Sequence, residues 1–302
     1  MNNFKTINPD AIGPLLERAK STFKSGHLFW PKKQTNLSFV CGKNPQSGSS
    51  FRNLFLDFNK NKDSLTPVLA EVTFHNLLQA DNNIVFNLAD LEHLIAQIAD
   101  SILIFVESPG SMAEIGFFSA MKEISAKSII IIPSEYQGPS FINTGPAAIC
   151  EHKTKYKPGR FVITSGQENT VFSGIIDSLS PFFKEKKSRT SLKNEGNFKK
   201  FPIKEQFYII RELIYCFSPI PKDDLFFLIK ELFGTFDKDK VIQCLAILTS
   251  IPNGIHLAED GNYTTAPDTG MLIEYSGDEL RAEALVFYNK HMPSRYHTGE
   301  TV

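Results

Sequence analysis

Short apolar runs, separated by stretches in which apolar residues recur at helical spacing, dominate the first 185 positions of this chain. A continuous apolar run of four to six residues bounded by polar or glycine positions is typical of a buried strand. The pattern predicts strands at 37–41, 101–106, 128–132 and 161–164. Residues 67–87 fit neither a strand nor a helix pattern clearly.

Helices are predicted between these strands. Phe51, Leu54, Phe55 and Phe58 would share one helical face, and residues 88–98 carry apolar side chains at 88, 91, 94, 95 and 98. Further helices are expected after the turn at 108–111, running to about 125, and from 171 to 183. Strands that alternate with helices favour an α/β fold, in which helices cover both faces of a mainly parallel sheet. We therefore expect a Rossmann-like or flavodoxin-like domain over residues 1–185.

The character of the chain changes at residue 186. Residues 186–203 are rich in Ser, Lys and Asn and poor in apolar residues, which is typical of an exposed linker. Two interpretations remain open: a solvated connector without a partner, or a contact with nucleic-acid phosphates. In the second interpretation Lys186, Lys187 and Arg189 are the candidate contacts.

Residues 204–302 predict a small, mainly helical domain. Helices are expected at 206–217, 221–232 and 238–249, a β-hairpin at 255–257 and 263–266, and a closing helix at 280–291. Three helices followed by a hairpin are the outline of a winged helix. The third helix offers only Lys238, Lys240 and Gln243 for reading bases. We therefore expect this domain to bind a partner assembly rather than to read a DNA operator.

Composition narrows the class of protein. A net charge of −1 and a pI near 6.7 give the chain as a whole no polyanion-binding character. The N-terminal residues lack the apolar core of a signal peptide, and the longest apolar runs are too short to span a bilayer. Four widely spaced cysteines, without metal-ligand spacing, predict buried free thiols. We expect a cytoplasmic protein without membrane association and without a metal site.

The stretch from Asp100 to Phe118 carries the strongest functional signal. A buried strand meets Ser108-Pro-Gly-Ser111, and a helix is expected to open there with Glu114 in its first turn. The carboxyl ends of parallel strands are where open α/β sheets bind ligands, and helix N-termini attract anions. A carboxylate there would be kept ionised by the helix dipole, as a nucleophile or a stabiliser of a sugar cation requires. The alternative is structural: Ser111 and Glu114 have the spacing of a capping box.

Other residues are expected at the same edge of the sheet. Gly42 follows the first strand, where a glycine allows a ligand to approach the backbone. Arg52 could clamp a phosphate or carboxylate. Asn143 would line the base or phosphate side, Glu107 is a second carboxylate without an assigned role, and Ser108, Gly110 and Ser111 would hold ribose or phosphate.

Two of these motifs together resemble a known family. The run Ser108-Pro-Gly-Ser-x-x-Glu114-x-Gly-x-Phe118 and the later Phe141-Ile-Asn-x-Gly-Pro146 resemble the nucleoside deoxyribosyltransferase-like domain of bacterial retron effectors. In those proteins the domain precedes a winged helix. The wider group includes TIR-like N-glycosidases, whose glutamate corresponds to Glu114. One departure concerns the turn, because the transferases usually carry an Asp-Ser-Gly-Thr type of sequence there.

The resemblance implies a function that composition and spacing do not. It implies an antiphage toxin that cleaves the N-glycosidic bond of NAD or a related nucleotide or nucleoside, which is a substrate rather than a cofactor. The implied partners are a retron reverse transcriptase with its non-coding RNA and branched RNA–DNA product (msDNA), and a homo-oligomer or larger assembly is expected. The rival hypothesis is a nucleotide-sensing, DNA-binding transcription regulator without enzymatic activity.

Overall fold

A computed structural model describes residues 9–24, 28–29, 36–43, 50–62, 64–80, 87–182, 189–190, 197–252, 254–265 and 277–293. The chain divides into two compact units. We call them the sheet unit, formed by Thr35–His75 and Val85–Lys184, and the helical unit, formed by Met1–Gln34, Asn76–Ile84 and Glu185–Val302.

The strands and helices have the following bounds. The strands are β1 (Leu28–Phe29), β2 (Leu37–Cys41), β3 (Thr66–Val68), β4 (Ser101–Phe105), β5 (Ser128–Pro133), β6 (Arg160–Ile163), β7 (Arg189–Thr190), β8 (Ile220–Pro221), β9 (Ile255–Leu257) and β10 (Asn262–Thr265). The helices are α1 (Pro9–Lys24), α2 (Phe51–Lys62), α3 (Ala70–Ala80), α4 (Leu88–Ile98), α5 (Pro109–Ser119), α6 (Lys122–Ser125), α7 (Phe141–Thr144), α8 (Pro146–Lys153), α9 (Glu168–Leu179), α10 (Ile203–Phe217), α11 (Lys222–Phe233), α12 (Lys238–Ser250) and α13 (Gly277–His291).

The sheet unit contains a five-stranded sheet in the order β3-β2-β4-β5-β6. All four strand pairs are parallel, which confirms the expected α/β class and the parallel sheet. The strand order reverses between β2 and β4, and this switch point is where the carboxyl ends of neighbouring strands leave room for a ligand. The two segments that follow these strands begin at Gly42 and Val106.

Aromatic side chains fill both faces of this sheet. Phe55 of α2, Phe105 of β4 and Phe172 of α9 pack together on one face, with ring centroids 5.4–6.5 Å apart. Phe39 of β2 and Phe118 of α5 pack edge to face on the other, 6.0 Å apart. Both faces are therefore covered, as parallel sheets require.

Three details of the predicted helices differ in the structure. The buried residues of α2 are Arg52, Phe55 and Asn59, whereas Leu54 is 44% exposed, so the apolar face is rotated from the predicted one. The helix expected from the 108–111 turn to about 125 begins already at Pro109, and it is split into α5 and α6 at Met121, whose backbone is extended. Of residues 67–87, ambiguous in sequence, 67–68 belong to β3 and 70–80 form α3.

The helical unit is built around α10, in which every residue from Gln206 to Phe217 is buried. A three-stranded antiparallel sheet in the order β8-β10-β9 accompanies α10, α11 and α12. The helices and the hairpin expected in residues 204–302 are present. Helix α1 was not anticipated, and it belongs here because Phe23 packs edge to face on Phe233 and Arg18 forms ion pairs with α13. Helix α1 therefore does not group with the sheet, although the predicted domain boundaries placed it there.

The predicted linker is only partly described. Lys186 and Lys187 lie outside the described residues, and Arg189 begins β7, which pairs with β1. Phe198 is fully buried, with its ring 5.5 Å from that of Phe233, whereas the following Lys199 and Lys200 are exposed. Within the described part of the chain, no helix has the length and apolar character needed to cross a membrane.

Candidate functional site

The start of α5 differs from the predicted capping arrangement. Ser108 is the N-cap, Pro109 opens the helix, and the capping box joins Ser108 to Ser111. The Ser108 Oγ accepts a hydrogen bond from the Ser111 N–H at 3.2 Å, and the Ser111 Oγ accepts from the Ser108 N–H at 3.0 Å. The predicted Ser111–Glu114 capping box is therefore wrong, because the helix begins earlier and Glu114 falls in its second turn. Glu114 is left without a capping role.

This capping also changes the expectation for the turn. The Ser111 side chain is fully buried, and its hydroxyl bonds to the backbone of Ser108 and Glu107. Gly110 is exposed, and a Cβ placed there would meet only the Ser108 Oγ at 3.7 Å. Neither of the two cavities described below is lined by Ser108, Gly110 or Ser111, so their ribose contact stays a prediction.

Helix α5 places Glu114 against the end of β2. Phe118 packs on Phe39, and one helical turn earlier Glu114 meets the Cys41 thiol, two residues further along the strand. Both contacts can form because residues four apart on a helix lie on the same side of it, as do residues two apart on a strand. The Cys41 thiol is in hydrogen-bond contact with Glu114. The Glu114 Oε2 is buried and has no hydrogen-bond partner among the described residues.

Glu114 lines a cavity of about 190 Å³ that we call the acidic cavity. It is formed by Phe39, Val40, Cys41, Gly42, Arg52, Ala70, Glu71, Phe74, Leu88, Glu92 and Glu114. These residues come from the end of β2 and from α2, α3, α4 and α5. Three carboxylates and one guanidinium thus surround a space next to the switch point of the sheet.

Burial and neighbouring negative charges determine the protonation of the carboxyl groups in this cavity. Burial, together with the charges of Glu92 and Glu71, raises the pKa of Glu114 to about 7, although Cys41 and Arg52 act in the opposite direction. Burial and the Glu71 charge also raise the pKa of Glu92. The expected effect of the helix dipole on Glu114 is thus outweighed, because desolvation disfavours the charged form. Near neutral pH Glu114 is poised between carboxylate and acid.

Arg52 lines the same cavity, but its guanidinium is not free to bind a phosphate or carboxylate of a ligand as expected. Its side chain is 3% exposed, and both terminal nitrogens bond the Glu71 carboxylate. Its Nε is buried and has no partner among the described residues. A Cβ on Gly42 would lie 2.9 Å from the Arg52 Cδ and 3.2 Å from the Glu107 Oε1. Gly42 is therefore required for this packing, in addition to lining the cavity.

Glu107 contacts the backbone at the end of β2 and at the start of α2. Its carboxylate accepts backbone hydrogen bonds from Phe51 at 2.9 Å, Arg52 at 3.2 Å and Lys43 at 3.3 Å. An acidic side chain at the N-terminus of α2 satisfies the N–H groups that the helix leaves unpaired. Glu107 also lines a second cavity of about 350 Å³, with Phe51, Tyr136 and Glu168.

Asn143 is used within its own loop. Its amide donates to the Tyr136 and Gly138 carbonyls at 2.5 and 2.7 Å, and its oxygen accepts from Arg160 at 3.2 Å. Asn143 lines neither cavity. These hydrogen bonds occupy the amide, so they do not support the predicted contact with the base or phosphate. That contact stays a prediction.

Sequence reasoning missed Glu71 and Glu92 and treated Cys41 only as a buried thiol. A signal existed for Glu92, because it lies four residues after Leu88 and shares the side of α4 that faces the cavity. No comparable signal marked Glu71, which lies in the stretch of ambiguous pattern. In the described part of the chain, no group of three or more His, Cys, Asp or Glu side chains is arranged to hold a metal ion. All four cysteines are buried and free, as predicted.

Comparison with known proteins adds a family. The model of the "STM3845 retron effector protein" family matches residues 48–252, more than half of the chain. The chain is similar to an Escherichia coli protein named "Retron Ec73 putative ribosyltransferase/DNA-binding protein", 27% identical over 96% of this chain and 98% of that protein. It is also similar to the E. coli "Retron Ec86 putative ribosyltransferase/DNA-binding protein", 31% identical over 37% of this chain and 36% of that protein. The matched residues include helix α2, Glu71, Glu92 and Glu114. Because the match covers more than half of the chain, this chain belongs to the STM3845 family of retron effector proteins.

Proposed function

We propose that the sheet unit cleaves the N-glycosidic bond of NAD or a related nucleotide or nucleoside at Glu114. The observation that carries this proposal is the unpartnered, buried Glu114 Oε2 in a cavity at the switch point of a parallel sheet. A buried polar atom without a partner is costly, so its presence favours a ligand that completes it. The relatives named as ribosyltransferases support the same class of chemistry.

The reaction breaks the bond between the anomeric carbon and the base nitrogen. The base leaves with the bonding electron pair, and positive charge develops on the sugar ring. The ionised Glu114 either attacks the anomeric carbon or stabilises this oxocarbenium-like charge. The oxygen of a water molecule then bonds to the anomeric carbon, displaces Glu114 where a covalent bond has formed, and gives its proton to the solvent. The raised pKa of Glu114 indicates a strongly desolvated carboxylate, which makes its interaction with a developing cation stronger than it would be in water.

NAD fits a site with one reacting carboxylate. Its nicotinamide is a cationic leaving group that becomes neutral when it takes the bonding electrons, so no proton donor is needed. A neutral nucleoside base would require one, and Glu92, which shares the cavity and has a raised pKa, is the candidate. The 190 Å³ cavity is smaller than the ~300–1,000 Å³ of common ligand pockets, so it suits the ribose end of a nucleotide.

The first test is a substrate panel. Purified protein is incubated separately with NAD, with nucleosides and with nucleotides. We expect release of free base, which is measured by chromatography. The rate should rise with pH through a midpoint near 7, because the reacting form of Glu114 is the carboxylate. Exposed carboxylates would give a midpoint well below that value. Absence of base release from every compound, or a rate independent of pH between 5 and 8, would contradict the proposal.

We further propose that the helical unit contains a winged helix that binds the retron assembly. The order α10-β8-α11-α12-β9-β10, with an antiparallel three-stranded sheet, supports this fold. Lys238, Asp239 and Lys240 are exposed at the start of α12, a mixed set that is poor for base reading. The proposed partners are the retron reverse transcriptase and its RNA–DNA product, with a homo-oligomer or larger assembly in the cytoplasm.

The second test addresses this assembly. Replacing Lys186, Lys187 and Arg189 together by Gln is expected to weaken association with the reverse transcriptase–msDNA complex and to flatten its salt dependence. The physical reason is that fewer counterions are released when fewer phosphates are contacted. Replacing Lys60, Lys62 and Lys122 instead is the matched control, since these are lysines of the sheet unit. Equal salt slopes for the two triple variants would contradict the proposed contact.

The rival function is a regulator that binds a nucleotide and DNA without turnover. Both hypotheses predict a ligand in the acidic cavity, and only the enzyme predicts release of base. Selection of a specific duplex sequence by the full-length protein at physiological salt, without any base release, would favour the regulator.

A further inference from the structure

The second cavity, lined in part by Glu107, has no ligand in the proposed function. Its lining comes from the segments that follow β2, β4, β5 and β6 and from the starts of α2 and α9, all within the sheet unit. Its volume of about 350 Å³ lies within the ~300–1,000 Å³ of common ligand pockets, whereas the acidic cavity is smaller. The second cavity is therefore large enough for a part of the substrate that the acidic cavity does not hold.

The two cavities adjoin at two places in the chain. Gly42 and Arg52 line the acidic cavity, and their chain neighbours Lys43 and Phe51 line the second cavity. Consecutive Cα atoms are only ~3.8 Å apart, so the two linings are close at both places. The carboxylate of Glu107 joins these places, because it accepts hydrogen bonds from the backbone N–H groups of Lys43, Phe51 and Arg52. One extended ligand could therefore occupy both cavities.

The second cavity extends along the carboxyl edge of the sheet. Its lining follows β2, β4, β5 and β6, which are neighbours in that order. Adjacent strands lie ~4.8 Å apart, so the three intervals from β2 to β6 span ~14 Å. The acidic cavity lies at the β2 side of this span. A ligand that begins at Glu114 would thus continue towards β6.

The chemical groups of the lining differ along this span. Lys43, the only basic residue among the described lining residues, lies next to the acidic cavity, where it suits a phosphate. Glu135 follows β5 and Glu168 begins α9, and their carboxylates can accept hydrogen bonds from ribose hydroxyls and from base amino groups. Tyr136 adds a 44% exposed aromatic ring on which a base can stack. Phosphate and nucleoside groups are therefore matched in sequence.

The backbone that carries Tyr136 is held in place by Asn143. The Asn143 amide donates hydrogen bonds to the Tyr136 and Gly138 carbonyls, and its oxygen accepts one from Arg160 of β6. Asn143 lines neither cavity. It thus acts on the second cavity through Tyr136, as a positioning residue.

We propose that the second cavity binds the second nucleoside of a dinucleotide whose reacting ribose lies in the acidic cavity. Tyr136 stacks on the base of that nucleoside, and Lys43 pairs with the phosphates between the two riboses. The preferred substrates are then dinucleotides of the NAD type rather than free nucleosides. The effect on turnover rests on the proposed function of Glu114, whereas nucleotide binding in the second cavity does not.

The first experiment measures binding without turnover. Adenosine monophosphate (AMP) is titrated into the full-length protein by isothermal calorimetry. Tyr136→Ala is expected to raise the Kd of AMP roughly tenfold, because the stacking of the base is lost. Phe141→Ala is the matched control, since Phe141 is an 81% exposed aromatic residue that lines neither cavity, and it should leave the Kd unchanged. Tyr136→Phe keeps the ring and should also bind AMP as the parent does.

A charge variant tests the phosphate contact. Lys43→Gln is expected to raise the Kd of AMP and to leave the Kd of adenosine unchanged, because adenosine lacks the phosphate. A loss of the same size for both compounds would contradict the assignment of Lys43 to the phosphate.

The second experiment compares two substrates. NAD carries both nucleosides, whereas nicotinamide riboside carries only the reacting one. Tyr136→Ala is expected to lower kcat/KM for NAD about tenfold and to leave kcat/KM for nicotinamide riboside unchanged. A structural defect would lower both values. If Tyr136→Ala fails to fold, Tyr136→Leu removes the ring and keeps most of the apolar volume.

Two results would overturn the inference: the same Kd of AMP for the parent and for Tyr136→Ala, or an equal loss of kcat/KM for both substrates. Failure of the proposed function gives a different result. AMP binding that Tyr136→Ala weakens, in a protein that releases no base, would support the nucleotide site and contradict glycosidic cleavage. Base release from NAD that Tyr136→Ala leaves unchanged would support the cleavage and contradict the site.

Discussion

Glu114→Gln is expected to lower the rate of base release by at least ~10³-fold while the protein remains folded. Glutamine keeps the shape of the side chain and can still accept a hydrogen bond from the Cys41 thiol, but it cannot attack or stabilise a sugar cation. Base release from NAD, measured by chromatography, gives the rate. Glu123→Gln is the matched control, because Glu123 is an exposed carboxylate of α6, close in sequence to Glu114.

The stability of the same variant provides an internal check. The pKa of Glu114 is about 7 in the folded protein, against about 4.5 for an ordinary glutamate, so between these values the folded protein holds a proton that the unfolded chain loses. The free energy of unfolding of the parent should therefore fall as the pH rises from about 4.5 to 7 and then level off. Glu114→Gln removes this cost, so urea unfolding should show it to be more stable than the parent above pH 7, by about 3 kcal/mol, and similar below pH 4. A folded variant with full turnover would exclude Glu114 as the reacting group.

Arg52→Met is expected to lower kcat/KM about 100-fold, a size common for the loss of one electrostatic contact in a transition state. It should also move the acid limb of the pH profile to higher pH, because the Arg52 charge lowers the pKa of Glu114. The matched variant Arg52→Lys keeps the charge and loses the two-nitrogen contact with Glu71.

The two Arg52 variants separate charge from geometry. Arg52→Lys should retain the position of the acid limb and recover part of the rate. A pH profile of Arg52→Met that matches the parent, in a protein shown to be folded by circular dichroism, would contradict an electrostatic role for Arg52. A rate loss of equal size in both variants would assign the effect to the shape of the guanidinium instead.

Most of the elements could be predicted because their signals are local. The strands at 37–41 and 128–132 are short apolar runs between polar boundaries, and α4 has apolar residues at helical spacing over its whole length. The absence of paired cysteines predicted the buried thiols. The position of Glu114 after a buried strand predicted its place near the edge of the sheet. Each of these signals comes from residues close together in the chain.

The errors have a different origin. The helix α2 has a row of phenylalanines, yet Arg52 is buried and Leu54 is exposed. Arg52 is buried because it pairs with Glu71, a partner that its neighbours in sequence do not reveal. The capping box was misplaced by one turn because Ser108 and Ser111 are both suitable caps, and only the backbone shows which one begins the helix.

The sequence by itself determined the α/β class, the parallel sheet and the place of the Glu114 carboxylate in the helix that follows β4. The tertiary structure alone decided the protonation of that carboxylate. Burial and the charges of Glu92 and Glu71 raise the pKa of Glu114, and these residues come from helices 22 and 43 positions earlier in the chain. A pKa depends on desolvation and on distances between charges, and both exist only once the chain has brought α3, α4 and α5 around one cavity.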